Sequence, residues 1–292
     1  MTDDIETALE IFSQLWAKYS HLPPLAGVCA ISGPAIRDGA FFAKVAAGSF
    51  GGRAPGTAIM YAVPYLTAPD AVERRNIARF AVFPDYHRFM AQLGAGFCGA
   101  LRARFPGSRF AAFCDRSPLC EADCAAAAGL GMRGRNNLLI TGRYGTFVFI
   151  GEVICDLQSV DVQNNAAGLH PACEACGMCV AACPTGALDA GRLNAGACLS
   201  ALTQAKRVTP EQRERIARGG SVWGCDICQD CCPCNDPGKL TYTDIECFLS
   251  ERVAWLGPET LAAMDDAEFA ARAYAWRGRD VVARNAEIVH NV

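Results

Sequence analysis

No apolar stretch in this 292-residue sequence approaches the roughly 20 residues needed to cross a bilayer, so neither a spanning helix nor a membrane partner is expected. An export signal is also missing. The opening Met1-Thr2-Asp3-Asp4-Ile5-Glu6 is acidic where a signal peptide is basic, and no apolar segment follows before the polar residues around Gln14. The cytoplasm is therefore the expected compartment. There is little excess charge of either sign: a net charge of −3 gives no general attraction for a polyanion, so nucleic-acid binding would have to rest on local basic patches. One such set is Lys206, Arg207, Arg213, Arg215 and Arg218, interrupted by Glu211 and Glu214; another is Arg272, Arg277, Arg279 and Arg284. Each set read alone is a solvated helix face. No internal repeat is detectable, and the chain stops at Val292 without a long tail.

Cysteine, by contrast, is abundant, with 17 in all. In a reducing cytosol such density points to metal binding or catalysis rather than disulfides. The length allows two domains of roughly 100–200 residues each, and a hydrophobic fraction of 51% is ordinary for a globular protein.

Along the chain, Ile5, Leu9, Phe12, Trp16 and Tyr19 recur at helical spacing and predict an amphipathic first helix. Leu25 to Ile31 and Ala58 to Tyr65 are short apolar runs bounded by Pro and Gly, which read as buried strands. The Gly- and Ala-rich stretch between them gives no clear signal. Asp85 to Phe105 reads as helix and Arg109 to Asp115 as strand, and Ser117-Pro118 reads as an N-cap followed by proline at the first helical position. Leu138 to Ile140 and Thr146 to Ile154 supply further strand. The polar segment Asp161 to Leu169 marks a boundary, after which composition shifts to cysteine, alanine and glycine. From about Cys247 the chain returns to helix-like sequence.

The first cysteine run is Cys173-Glu-Ala-Cys176-Gly-Met-Cys179-Val-Ala-Ala-Cys183-Pro184. This is the bacterial ferredoxin arrangement, in which the fourth cysteine ligates the other cluster. Three thiolates two residues apart can wrap three corners of one cubane, and the following residues are expected to begin a helix, with Pro184 at its first position. The second run is Cys225-Asp-Ile-Cys228-Gln-Asp-Cys231-Cys232-Pro233-Cys234, with Cys198 upstream. Counting ligands assigns Cys173, Cys176, Cys179 and Cys232 to one 4Fe-4S cluster, and Cys183, Cys198, Cys225 and Cys228 to a second. Cys232 precedes a proline as Cys183 does, which favours it as crossing ligand over Cys231 or Cys234. Cys231, Cys234 and Cys247 are left as buried free thiols. The alternative, a zinc site, takes four ligands and does not explain a second run downstream.

These runs, with Gly224 before Cys225, Gln229 after Cys228, and Cys198-Leu199-Ser200, resemble the epoxyqueuosine reductase family. The resemblance extends upstream in order: Asp85-Tyr86-His87, Asp115-Arg116-Ser117-Pro118, Gly129 to Asn136 with Leu138 to Ile140, and Tyr144-Gly145 through Gly151-Glu152. Arg284-Asn285-Ala286 resembles the family's late Arg-Asn-Ala helix. The resemblance implies an α+β protein. Its mixed α/β cobalamin and substrate domain would occupy 1–160, a bacterial-ferredoxin-like double 4Fe-4S domain 161–247, and a short helical C-terminal segment 248–292. It implies a cobalamin-dependent reductase that removes the epoxide oxygen of epoxyqueuosine in tRNA to give queuosine. It further implies a low-potential electron donor of ferredoxin or flavodoxin type, and tRNA as partner.

In this resemblance Asp115 is the proton donor, a role that needs its pKa raised by burial; the alternative is a cap on the helix near Pro118, where Ser117 is the better cap. Tyr86 and His87 match the corrin pocket, or a satisfied core histidine in the second case. Arg135 and Asn136 stand where the family has Lys-Asn, to meet corrin amides or to shape a turn, and Ser200 and Thr203 would reach the corrin from the cluster side.

Three departures bear on the substrate. The segment between Ile36 and Ala58 is short and lacks the family's tryptophan-leucine and histidine-glycine-methionine elements. The sequence ends where family members continue into helical repeats, and Met132-Arg133-Gly134-Arg135 replaces a tryptophan-containing Gly-Lys loop. The readings left open are a related corrinoid reductase acting on a small-molecule electrophile, such as a relative of the commonly exported reductive dehalogenases, and an electron-carrier or corrinoid-activating iron-sulfur protein.

Overall fold

The computed structural model describes residues 3–68, 74–158, 168–189 and 192–291. Two units form by internal contact. Unit one comprises the described residues of Met1–Pro64, His87–Arg133 and Leu138–His170, and unit two those of Tyr65–Tyr86, Gly134–Asn137 and Pro171–Val292. The boundary expected just after residue 160 lies outside the described residues. No described helix is long and apolar enough to cross a membrane.

Unit one begins with helix α1 (Asp3–Trp16), which buries Ile5, Ala8, Phe12 and Trp16 at the predicted spacing. The helix stops before Tyr19, where the Lys18 and Tyr19 N–H groups turn to the Leu15 and Trp16 carbonyls at 3.1 and 2.9 Å, and Trp16 donates its indole N–H to the Leu22 carbonyl at 2.6 Å. Strand β1 (Leu25–Ala30) follows, and then helix α2 (Gly39–Phe50) forms from the stretch that gave no clear signal. Two end signals explain it: Asp38 accepts the Phe41 N–H at 2.9 Å, and Gly51 terminates the helix at φ 62°. The remaining elements are β2 (Thr57–Pro64), α3 (Tyr86–Arg104), β3 (Phe110–Cys114), α4 (Glu121–Ala127), β4 (Met132–Arg133), β5 (Leu139–Ile140) and β6 (Val148–Cys155).

The main sheet runs β1-β2-β6-β3, with every neighbour antiparallel. Its central strand β2 is buried along its whole length, because both faces are covered. Ala58, Met60 and Ala62 pack with Phe42, Val45 and Phe50 of α2 and with Cys124 to Ala126 of α4. On the other face Tyr61 and Phe97 lie 5.0 and 5.1 Å from the Phe12 ring. Removing Phe12 would therefore cost about 3–5 kcal/mol. Gly151 stands opposite Tyr61 in the register, and a Cβ there would meet the tyrosine ring at 2.3 Å.

One expected helix start moves. Ser117 is not the N-cap of α4, which begins at Glu121. The Ser117 hydroxyl accepts the Leu119 N–H at 2.9 Å and donates to buried Glu152 on β6.

Unit two is built of short pieces: α5 (Met178–Ala182), the strands β7 (Leu188–Asp189) and β8 (Arg192–Leu193), α6 (Leu199–Thr203), α7 (Pro210–Gly219), α8 (Ile227–Asp230), α9 (Glu246–Leu249), α10 (Pro258–Ala263), α11 (Asp266–Ala270) and α12 (Arg279–His290). Helices this short cannot support themselves, and buried side chains tie their ends together. Asn76 donates to the Leu256 carbonyl and accepts the Leu256 N–H, both at 2.8 Å, while its own carbonyl takes the Val222 N–H. Asn285 on α12 donates to the carbonyls of Thr203 at 2.6 Å and Val222 at 3.0 Å. Of the arginines read as a solvated face, Arg277 and Arg284 instead bind the carbonyls of Gln204, Ala205 and Lys206, and buried Arg272 binds that of Glu251. Only the set around α7 keeps the solvated character, with Lys206, Arg207, Arg213 and Arg218 exposed.

Candidate functional site

In unit one the site forms where β3 ends. The strand delivers Asp115 into a three-residue turn closed by the Arg116 N–H on the Cys114 carbonyl at 2.6 Å, and Asp115 itself has φ 60°. Non-glycine residues rarely hold this left-handed backbone, and the turn class is strained. It is tied down from three sides. Glu121 on α4 accepts the Asp115 N–H at 2.7 Å, Arg37 donates to the Ser117 carbonyl at 2.6 Å, and the imidazole Nε2 of His87 on α3 lies 3.1 Å from the Asp115 carboxylate.

Burial, expected at Asp115, falls on its neighbours. The Asp115 side chain is 47% exposed and that of His87 44%. Glu121 is pushed up to about 7, by burial first and then by the charge of Asp115, against the Asp115 N–H and Arg37. Glu152 is fully buried and pushed up to about 8, by burial above all and then by Glu121, against the hydrogen bond from Ser117 and the charge of Arg37. One of its carboxyl oxygens has no hydrogen-bond partner among the described residues. The Cys114 thiol is pushed up too, by burial and then by Asp115, Glu121 and Glu152. Two carboxyls near neutrality thus sit beside an exposed one.

In unit two the cysteines of both runs converge, and all are unbridged. Cys225 lies in the electrostatic field of Cys198 and Cys183, and Cys228 in that of Cys225, Cys198 and Cys179. Cys179 has Cys173 and Cys176 as neighbours, and Cys232 has Cys234 and Cys173. Cys231 also faces the first trio, through Cys179 and Cys176. The sulfurs are spread rather than gathered on a point: among the described residues no group of three or more His, Cys, Asp or Glu could hold a single metal ion.

The local geometry differs from the expectation at Cys183. The helix precedes it rather than following it: Cys179 lies inside α5, and Cys183 is the C-cap, extended at ψ 113°. Cys232 is likewise extended at ψ 123°, and there Pro233 opens a short 3-10 turn. Proline forces the preceding residue out of the helical region, so in both runs the Cys-Pro step turns the thiol off its helix. Cys198 caps α6. Gly224, at φ 69°, lets the second run start against Ala78, where a Cβ would come within 2.6 Å. Cys231, Cys234 and Cys247 are half-buried rather than buried.

Among the other expected contacts, Arg135 clamps the first cysteine loop, donating to the carbonyls of Cys173 at 2.9 Å and Glu174 at 3.2 Å. Thr203 is fully buried; its hydroxyl donates to the Ser200 carbonyl at 2.9 Å and accepts the Gly224 N–H at 3.0 Å. Ser200 is half-buried, its hydroxyl accepting from Gln204 at 3.3 Å. Asn136 is buried, and so is Tyr86, which meets the Phe80 ring edge-on at 6.1 Å. The sequence did not single out Arg37, Glu121 or Glu152. Glu152 stood inside a motif without a role, and the signal that would have found it is a carboxylate in an otherwise apolar strand.

Residues 172–235 match the 4Fe-4S double cluster binding domain. An epoxyqueuosine reductase of Gloeobacter violaceus is 37% identical over 221 residues, which are 72% of this chain and 67% of the relative. That of Listeria monocytogenes is 34% identical over 223 residues, 74% of this chain and 57% of the relative. The chain therefore matches between about half and two thirds of these proteins' own length. A solved epoxyqueuosine reductase carrying an epoxyqueuosine-modified tRNA stem loop shares the fold, with TM-score 0.72 and 23% identity over 98% of this chain and 81% of that one.

Proposed function

The chain belongs to the epoxyqueuosine reductase family, and on that premise we propose that it is a cobalamin-dependent iron-sulfur reductase that converts epoxyqueuosine in tRNA to queuosine. The observation that carries this is the pairing of two converging thiol sets in unit two with an accessible, anchored acid in unit one. Cys173, Cys176 and Cys179 take Cys232 to hold one 4Fe-4S cluster, and Cys198, Cys225 and Cys228 take Cys183 to hold the other. Electrons come from a low-potential ferredoxin- or flavodoxin-type donor in the cytoplasm.

Removal of an epoxide oxygen as water, leaving a double bond, consumes two electrons and two protons. A bound cobalamin supplies the reducing centre for the epoxide carbon. The chain's own part is to hold it and to move the proton. His87, 44% exposed at the start of α3, fits a contact to a corrin's amide rim. Thr203 and Arg135 serve it indirectly, fixing the start of the second run and the first cysteine loop, and Tyr86 and Asn136 shape the walls. Asp115 delivers a proton to the leaving oxygen, and His87, 3.1 Å from its carboxylate, orients it.

The test is incubation of the reduced holoprotein with tRNA bearing epoxyqueuosine, followed by nucleoside analysis. Queuosine is the expected product. A corrinoid-loaded, cluster-replete protein that leaves the nucleoside unchanged would overturn the reading.

A further inference from the structure

The turn that carries Asp115 is strained, and what holds it is specific. The aspartate backbone sits at φ 60°, next to the short contact between the Arg116 N–H and the Cys114 carbonyl. A residue in this region returns to ordinary backbone unless its neighbours prevent it. Besides His87 at the carboxylate, two ties reach the backbone of the turn from other elements. Arg37, ahead of α2, donates to the Ser117 carbonyl at 2.6 Å and approaches the Asp115 carbonyl at 3.5 Å. Glu121, the first residue of α4, accepts the Asp115 N–H itself at 2.7 Å.

Resting on the reading of Asp115 as proton donor, we propose that Glu121 is a positioning residue, a latch whose carboxyl oxygen on the Asp115 N–H fixes the turn that aims the acid. Arginine keeps its charge at any physiological pH, so of the two backbone ties only the Glu121 one titrates; the His87 imidazole, 3.1 Å from the Asp115 carboxylate, is a second titratable group against the turn. The groups facing Glu121 are Asp115 and Cys114 at the end of β3, Arg37 from the loop before α2, and Glu152 from β6; on its own helix Asp123 is paired with Arg133. Burial and the Asp115 charge push Glu121 up to about 7. Above that pH the latch is a carboxylate, and below it a neutral acid whose hydrogen bond is roughly half as strong. Turnover then loses its acid positioning as pH falls through about 7.

The experiment compares Glu121→Ala and Glu121→Gln in the holoprotein. Glutamine keeps an oxygen for the Asp115 N–H and cannot titrate. The alanine variant is expected to lose about 10- to 100-fold in kcat with KM changed less than about 3-fold, and its 114–117 amides should exchange hydrogen faster. The glutamine variant should recover most of kcat, keep slow exchange, and lose the inflection near pH 7. Wild-type exchange rates in Glu121→Ala, or an unchanged inflection in Glu121→Gln, would overturn the latch. If Glu121→Ala fails to fold, the glutamine profile decides alone. Asp115→Asn separates the two claims: full activity in that variant would sink the donor role, whereas the exchange result on Glu121 would stand.

Discussion

The carboxyl of Asp115 and the thiols of unit two are positioned by opposite means. Asp115 stands exposed at a strand end, held by residues from three other elements, α2's approach, α3 and α4. The thiols are set largely by their own neighbours in sequence, since a helix of a few residues and a Cys-Pro step repeat in both runs. The first arrangement is adjustable, because changing one tie shifts the acid without unmaking the sheet. On the proposed ligand assignment the second is all or none, because each cluster would take a ligand from the other run.

Breaking the all-or-none site should give the largest effect. Cys183→Ser and Cys232→Ser are each expected to lose about half of the bound iron and essentially all turnover, measured by iron and sulfide analysis of anaerobically purified protein. Cys231→Ser, although its thiol also faces the first trio, is expected to keep both clusters. Loss of iron from Cys231→Ser with retention in Cys232→Ser would reverse the assignment of the crossing ligand.

Next is the acid. Asp115→Ala should lower kcat by about 10²- to 10⁴-fold while the cluster spectra stay unchanged, which would sharpen the contrast by silencing one site and sparing the other. Asn76→Ala then tests the packing of unit two. It strips two hydrogen bonds from the buried Leu256 backbone, and leaving such groups unpaired costs about 1–3 kcal/mol each, readable as a lower unfolding midpoint and looser cluster retention.

The smallest effect expected is a pH-dependent one. Glu152 is pushed up to about 8 in the fold, from an ordinary carboxylate value near 4.3. A raised acid binds more protons folded than unfolded, so the stability it contributes is complete below about 4.3 and is lost as pH rises through about 8. Glu152→Gln, which keeps an acceptor for Ser117, should unfold at a higher temperature than wild type above pH 8 and show little gain at pH 5. Equal midpoints at both would remove the buried carboxyl from the comparison.

The sequence by itself determined what is local. Apolar runs and helical spacing placed β1, β2, α3, β3 and β6 to within a residue or two and α1 to within three, because each buries a continuous face. The cysteine spacing defined a double 4Fe-4S domain, because three thiols two residues apart suit a cubane whatever surrounds them. Helix α2 escaped because Asp38 and Gly51 act at its ends while its interior of Gly and Ala carries little pattern. The side of Cys183 on which the helix lies is not in the sequence, since Pro184 is equally compatible with starting a helix and with ending one. Only the tertiary structure decided the rest. The sheet register sets Glu152 opposite Phe113, next to Cys114, α4 folds back to set Glu121 on the Asp115 N–H, and residues 65–86 pack with the cysteine-bearing unit through Asn76. Such pairings join residues 6 to 180 positions apart. Spacing in the chain carries no record of them, because they arise from how faces pack and from which buried polar group must find a partner.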